Sequence, residues 1–371
     1  MNTTRLIDRF SRYVACASVS GTELPFCQMI EAELLALGLS VTRDEVGKQC
    51  ESNGYNVVAS LEGVGEPILF SAHFDTVPPG VGIEAVVEDG VIRSKGDTVL
   101  GSDDKAGIAA VLEALEMIRE AGGTHRPIEV LFTVCEETGL LGSKYADYSL
   151  LQSKQAIVLD NSTPGELINE SPAMVDISVT ITGKSAHAAM GPHKGIHAVK
   201  AAAAAISNIP CGYVDDYSVL NVANFLAPGP SNVVPEKASF DIDLRSFDEA
   251  ALQKNIDLIE QAVKDACDPL GATYVVDVSR KTDVLFVPPT SPVIAQLQNT
   301  YTAMGIESKI MKTYGGSDAT WLFKNGIDAI NIGIGMMDVH STNEHISVAD
   351  LECTTRVVYA LMGGKDAITQ N

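Results

Sequence analysis

The stretch "GEPILFSAHFDTVPPG" (65–80) decides how this chain is read. An apolar run beginning at Ile68 suits a sheet interior, yet it ends in His73 and Asp75 and runs into a turn closed by Pro78 and Pro79. Residues two apart on a strand face the same side, so the imidazole and the carboxylate are neighbours while Phe74 points away. In open α/β sheets the carboxyl ends of the strands are where ligands bind. Taken alone, His-x-Asp is equally a capped strand end in which Asp75 satisfies His73. The rest of the chain has to decide.

Around this strand the pattern alternates. Helices are expected over 3–16 and 24–38, then strands in "YNVVASLEG", "PILFSAHFDT" and "GVIRS". In "GSDDKAGIAAVLEALEMIREAGG" residues Ile108, Val111, Leu112, Leu115 and Ile118 fall at helical spacing, with Ser102 or Asp103 as the expected cap and Gly122-Gly123 as the stop. "PIEVLFTVCEE" and "QAIVLDN" read as further buried strands. Such alternation predicts an α/β fold with a mainly parallel sheet flanked by helices. After "NESP" the order becomes strand, helix, strand, strand, helix, strand, the ferredoxin-like α+β arrangement. Near Pro288-Pro289 the first pattern resumes. The expected organisation is therefore 1–172 and 287–371 as one domain, with 173–286 inserted into it.

Bulk properties narrow the function. The 371 residues exceed one ordinary core. A net charge of −22 without a basic cluster argues against nucleic acid and anionic membranes as partners. No signal-peptide core or membrane-spanning run is apparent in the sequence. The seven cysteines are scattered, odd in number and without a C-x-x-C pair, which favours reduced thiols and a cytoplasmic location.

Four further polar knots sit where strands end or helices begin: Asp103 and Asp104, Glu136 and Glu137, Asp160, and the loop "GMMDVHSTNEHIS" with His340 and His345. Each has an ordinary explanation as a cap, a surface turn or a loop. Adjacent carboxylates closing a buried strand, however, call for positive charge nearby. Together His73, an Asp of 103/104, a Glu of 136/137, Asp160 and His340 form a nitrogen-and-oxygen donor set without thiolate. That set suits catalytic zinc, manganese or cobalt. Two metals sharing one carboxylate would use five residues and leave a spare Glu to take a proton from an activated water.

In this light the chain resembles the di-zinc peptidase and deacylase family, within it the peptidase T-like branch. The motifs "SAHFDTV", "GSDDKAG", "EETG", "GKSAHA", "SNVVPEKASFDIDLRS", "GGSDA" and "HSTNE" occur in the family order along essentially the whole chain. The resemblance implies two divalent metals, zinc first and manganese or cobalt in its place. His73 and Asp160 would be private ligands of one, Glu137 and His340 of the other, with Asp103 bridging. Glu136 would be the general base and Asp75 the partner that holds the ring of His73. It implies that residues 173–286 form a lid through which a homodimer assembles, with His187 steadying the oxyanion in the other subunit's site. Asn232, Arg245, Ser317 and Asp318 would contact substrate, Arg245 gripping a carboxylate unless it pairs with Asp241 or Asp243. His345 is expected to be an ordinary loop residue. The implied activity is hydrolysis of short peptides from one end, tripeptidase- or aminopeptidase-like or carboxypeptidase-like. An N-acyl-amino-acid amidohydrolase would use the same site. A non-catalytic binding protein on this scaffold is the remaining alternative, but it would be expected to have lost a ligand or the base, and all are present.

Overall fold

The computed structural model describes residues 1–364, which divide into two compact units: Met1–Glu170 with the chain from Phe286 onward, and Ser171–Leu285. The first is built on a nine-stranded sheet. Its four middle strands run parallel, in the order Ile128–Thr133, Ile68–His73, Gln155–Pro164 and Asp328–Gly333. Antiparallel strands flank them: Asn56–Leu61 and Ser40–Asp44 on one side, Glu166–Ser171 on the other. Three of the parallel strands are almost wholly buried and Gln155–Pro164 is buried over Ala156–Leu159, as expected for a sheet covered on both faces.

Helix Ser102–Ala121 lies against strand Ile68–His73 and is itself covered by helices Thr3–Ala15 and Val348–Leu361. Its small residues allow this. A Cβ on Gly107 would stand 2.9 Å from the Cβ of Leu159 on the sheet and 2.5 Å from Oδ1 of Asp104, so no larger side chain fits. On the far side, buried Glu113 is held by Arg9 at 2.5 Å and Arg5 at 2.7 Å, which ties the first helix down.

The start of helix Ser102–Ala121 corrects the expected cap. Gly101 occupies the cap position with φ 74° and has no side chain to offer, while Asp103 and Asp104 have non-helical backbone angles. Neither Ser102 nor Asp103 caps the helix. Strand Glu166–Ser171, inside the expected turning point "NESP", belongs to the main sheet. A small four-stranded sheet, Met336–Met337, His345–Ser347, Val91–Ser94 and Ala85–Glu88, was foreshadowed only by "GVIRS".

The second unit has a five-stranded antiparallel sheet. Its main strands lie in the order Ser218–Leu226, Lys237–Ser246, Ala173–Thr182, Thr273–Arg280. Helices Ala198–Asn208 and Glu249–Cys267 complete the ferredoxin-like element sequence. Alternate residues of Ala173–Thr182 (Val175, Ile177, Val179, Ile181) are buried with Ala198, Ala201, Ala202 and Ala205. The alanines let that helix sit close to the strands. No helix of the described residues is long and apolar enough to cross a membrane.

Candidate metal and catalytic site

The sheet order explains why residues remote in sequence meet. Strand Ile68–His73 runs between Ile128–Thr133 and Gln155–Pro164, all parallel. Their continuations therefore present His73, Glu136 with Glu137, and Asp160 along one edge. Asp103 enters from the helix start packed on the same strand, and His340 from the loop after the last parallel strand.

The contacts are specific. Asp103 Oδ1 is 3.0 Å from His73 Nε2, and its Oδ2 is 3.2 Å from His340 Nε2. One carboxylate thus faces a different imidazole with each oxygen. His340 Nε2 also lies 2.9 Å from Glu137 Oε1. His73, Asp103 and Asp160 each offer a donor atom within 4.8 Å of the others. The same holds for Asp103, Glu137 and His340, and for His73, Glu136 and Glu137. All these donors are nitrogen or oxygen, and two three-residue sets share Asp103. Such an arrangement fits two divalent cations.

Burial and neighbouring charge set the protonation. Burial, then Asp160, pushes the Glu136 carboxyl well above its usual range. Burial and the charge of Asp103 do the same to Asp160. Burial would raise Asp103 too, but hydrogen bonds from His340 and His73 outweigh it and hold that carboxyl low. Hydrogen bonds to Asp103 and Glu137 push His340 up to about 10. Asp104 Oδ2 accepts the main-chain N–H of His73 at 3.2 Å, while its buried Oδ1 finds no partner.

The reading of Asp75 needs refinement. The ring of His73 is held at Nδ1 by the main-chain carbonyl of Asp75, 2.9 Å away, while the carboxylate stands at 3.5 Å. With Nδ1 donating to that carbonyl, Nε2 is the ring nitrogen that faces Asp103. The Asp75 carboxylate instead accepts the N–H of Glu136 at 2.9 Å, the N–H of Glu137 at 3.2 Å and the hydroxyl of Ser20 at 2.7 Å.

Peptidase family M20/M25/M40 matches residues 69–363. The chain belongs to this family. Within it, the chain is similar to aminopeptidase PepT from Bacillus cereus, with 29% identity, full coverage of both chains and a TM-score of 0.94. A tripeptidase from Staphylococcus aureus gives the same three values. Peptidase T of Vibrio cholerae is 26% identical over 96% of this chain and 97% of its own length.

The other expected site residues of this M20 chain have the following surroundings. Asp318 is buried, its oxygens accepting from Thr133 Oγ1 and Ser143 Oγ, so the carboxylate braces the floor of the sheet edge rather than standing open; Ser317 is buried beside it. In the second unit, His187 is exposed, with Nδ1 accepting the N–H groups of Ala189 and Met190, both at 3.1 Å. The adjacent Ala188 N–H donates to the carbonyl of Asn232 at 2.9 Å, so these two family positions are neighbours. The Arg245 fork is engaged by Asp243, with Nη2 at 2.9 Å. His345 lies with Nδ1 at 3.0 Å from the carbonyl of Asn343.

Three supporting residues escaped sequence reasoning. Asn331 exchanges two hydrogen bonds with the backbone of Asp160. Lys105 donates to the carbonyls of Tyr13 and Cys16, fixing the end of the first helix beside the site. Glu344 accepts four hydrogen bonds from the backbone and side chain around Asp103. Glu344 and Lys105 had a signal, as the polar end of "HSTNE" and the lysine of "GSDDKAG".

Proposed function

We propose that this M20 chain is an exopeptidase for short peptides, of aminopeptidase and tripeptidase character, and that it uses two divalent cations. The observation that carries this reading is the Asp103 carboxylate set between His73 and His340, with Glu136 buried alongside. His73 and Asp160 would hold one cation, Glu137 and His340 the other, and Asp103 both; zinc is the first choice for such donors. When bound, the cations supply Lewis-acid polarisation of the scissile carbonyl and acidify a water at the site.

The chain's own residues do the rest. Glu136 belongs to neither proposed ligand set, and burial raises its proton affinity. It is therefore suited to take the water's proton and return it to the leaving amine. Asp75 anchors the backbone of Glu136 and of Glu137 through one carboxylate, fixing the base relative to a ligand. His187 of a second copy is assigned to the oxyanion, and Asn232 and Arg245 to the substrate, so the active species is a dimer; a fully active monomer on a sizing column refutes that part. The reduced thiols fit a cytoplasmic enzyme.

The test has two arms. Turnover of di-, tri- and tetrapeptides with free amino ends is expected to exceed that of acetyl- and succinyl-amino acids, and the reverse order would make the chain an amidohydrolase. Glu136→Ala is expected to keep about two metals per chain while losing about 10²–10⁴ in kcat. Retained turnover would remove Glu136 from the role of base.

A further inference from the structure

Glu344 has no place among the proposed ligands or the base, yet the residue is 2% exposed and both its carboxylate oxygens are engaged. Oε2 accepts the N–H of Leu100 at 2.8 Å and of Gly101 at 3.0 Å. Oε1 accepts the hydroxyl of Ser102 at 2.6 Å and the N–H of Asp103 at 3.1 Å. Leu100 and Gly101 lie just before helix Ser102–Ala121, Ser102 and Asp103 lie in its first turn, and Gly101 at the cap position has no side chain to offer. A carboxylate at this end is also favoured by the helix dipole.

The other end of Glu344 is equally fixed. Its N–H donates to the carbonyl of Ser341 at 3.2 Å, and the Ser341 hydroxyl closes the turn onto the carbonyl of Asp338 at 2.7 Å. His340 sits inside that turn with φ 61°. One side chain thus joins the backbone that presents Asp103 to the turn that presents His340. These are two of the three residues in the Asp103, Glu137, His340 set. No comparable cross-link joins the His340 turn to the backbone around His73 or Asp160 among the hydrogen bonds of the described residues.

We propose that Glu344 is a positioning residue that sets the spacing of Asp103 and His340, and so governs the affinity of the cation held by Asp103, Glu137 and His340, called here the second, more than that of the other, whose private ligands His73 and Asp160 it does not touch. This rests on the two-cation reading of the site. A glutamine has one acceptor oxygen, and its amide hydrogens point at N–H donors, so Glu344→Gln loses part of the cradle while keeping the shape.

The experiment titrates metal-stripped wild-type and variant enzyme with Co²⁺, followed by visible absorption and calorimetry. The wild type is expected to take up two ions. Glu344→Gln is expected to bind the first with near wild-type affinity and the second about 10–100-fold more weakly. Turnover is expected to be lost at limiting Co²⁺ and recovered with excess. A residue that merely caps the helix would lower the melting temperature and leave the two affinities in their original ratio. That outcome overturns the proposal. Should Glu344→Gln not fold, Ser102→Ala removes a single donor and is expected to weaken the second ion several-fold; unchanged affinities there overturn it equally. If the wild type binds fewer than two ions, the reading of the site fails rather than this inference.

Discussion

Replacing Asp75 by asparagine isolates what the buried carboxylate does. Its two oxygens accept three hydrogen bonds, from Glu136 N, Glu137 N and Ser20 Oγ. Asparagine keeps one acceptor oxygen. Placed at the Oδ2 position, that oxygen retains Glu137 and Ser20, and the new amide then faces the Glu136 N–H donor to donor. One buried N–H is left unpaired, at a cost of about 1–3 kcal/mol. At about 2–4 °C per kcal/mol for domains of 150–250 residues, the melting temperature is expected to fall by roughly 2–12 °C. The displaced backbone carries the proposed base, and misplacement of about 1 Å costs about 10²-fold, so kcat falls on that scale. His73 keeps its ring partner, because that contact is made by the main-chain carbonyl of residue 75. Differential scanning calorimetry of the metal-stripped protein reads the first effect, and steady-state kinetics at saturating metal the second. If kcat and melting temperature both stay within about twofold and 1 °C of wild type, the carboxylate does not anchor Glu136 and the argument fails.

Three other outcomes follow from the same structure. Glu113→Ala removes the buried partner shared by Arg9 and Arg5, which keep Glu33 and Glu116, and Glu120, respectively, and urea unfolding is expected to show a loss of about 1.5–3 kcal/mol. In the cation-free protein His340 keeps its proton to about pH 10, so binding at neutral pH must expel it. Zn²⁺ affinity at the Glu137 and His340 end is therefore expected to climb with pH below that point, about tenfold per unit for this one proton, with proton release visible in calorimetry as a dependence on buffer ionisation enthalpy. Burial pushes the thiols of Cys27, Cys50 and Cys135 up to about 12, while Cys211 is exposed. Iodoacetamide at mildly alkaline pH is expected to label Cys211 first. Peptide mapping that finds Cys135 labelled as fast would mean the loop before Glu136 opens in solution.

Several features were legible in the residues because local patterns carry them. Apolar runs ending in His73, Glu136 and Asp160, alternating with helical spacing at Ile108–Ile118, define parallel strands whose carboxyl ends bear the polar groups. The order strand, helix, strand, strand, helix, strand after residue 172 prescribes the second unit in the same way. Strand Glu166–Ser171 escaped because a short strand with Glu and Asn resembles a linker until its partners are known.

Side-chain partnership is a different matter. Sequence proximity put Asp103 or Ser102 forward as a helix cap, whereas Glu344, remote in the chain, takes that role and leaves Asp103 to face two histidines. Asp318 in "GGSDA" reads as part of a substrate-site wall or a plain turn, and nothing local shows that the hydroxyls of Thr133 and Ser143 donate to its carboxylate. The chain by itself determined which elements form and which polar residues end them, since those depend on periodicity over a few residues. Which oxygen meets which nitrogen was decided only by strand order and helix packing, because a hydrogen bond depends on tenths of an ångström between segments that the sequence leaves hundreds of residues apart.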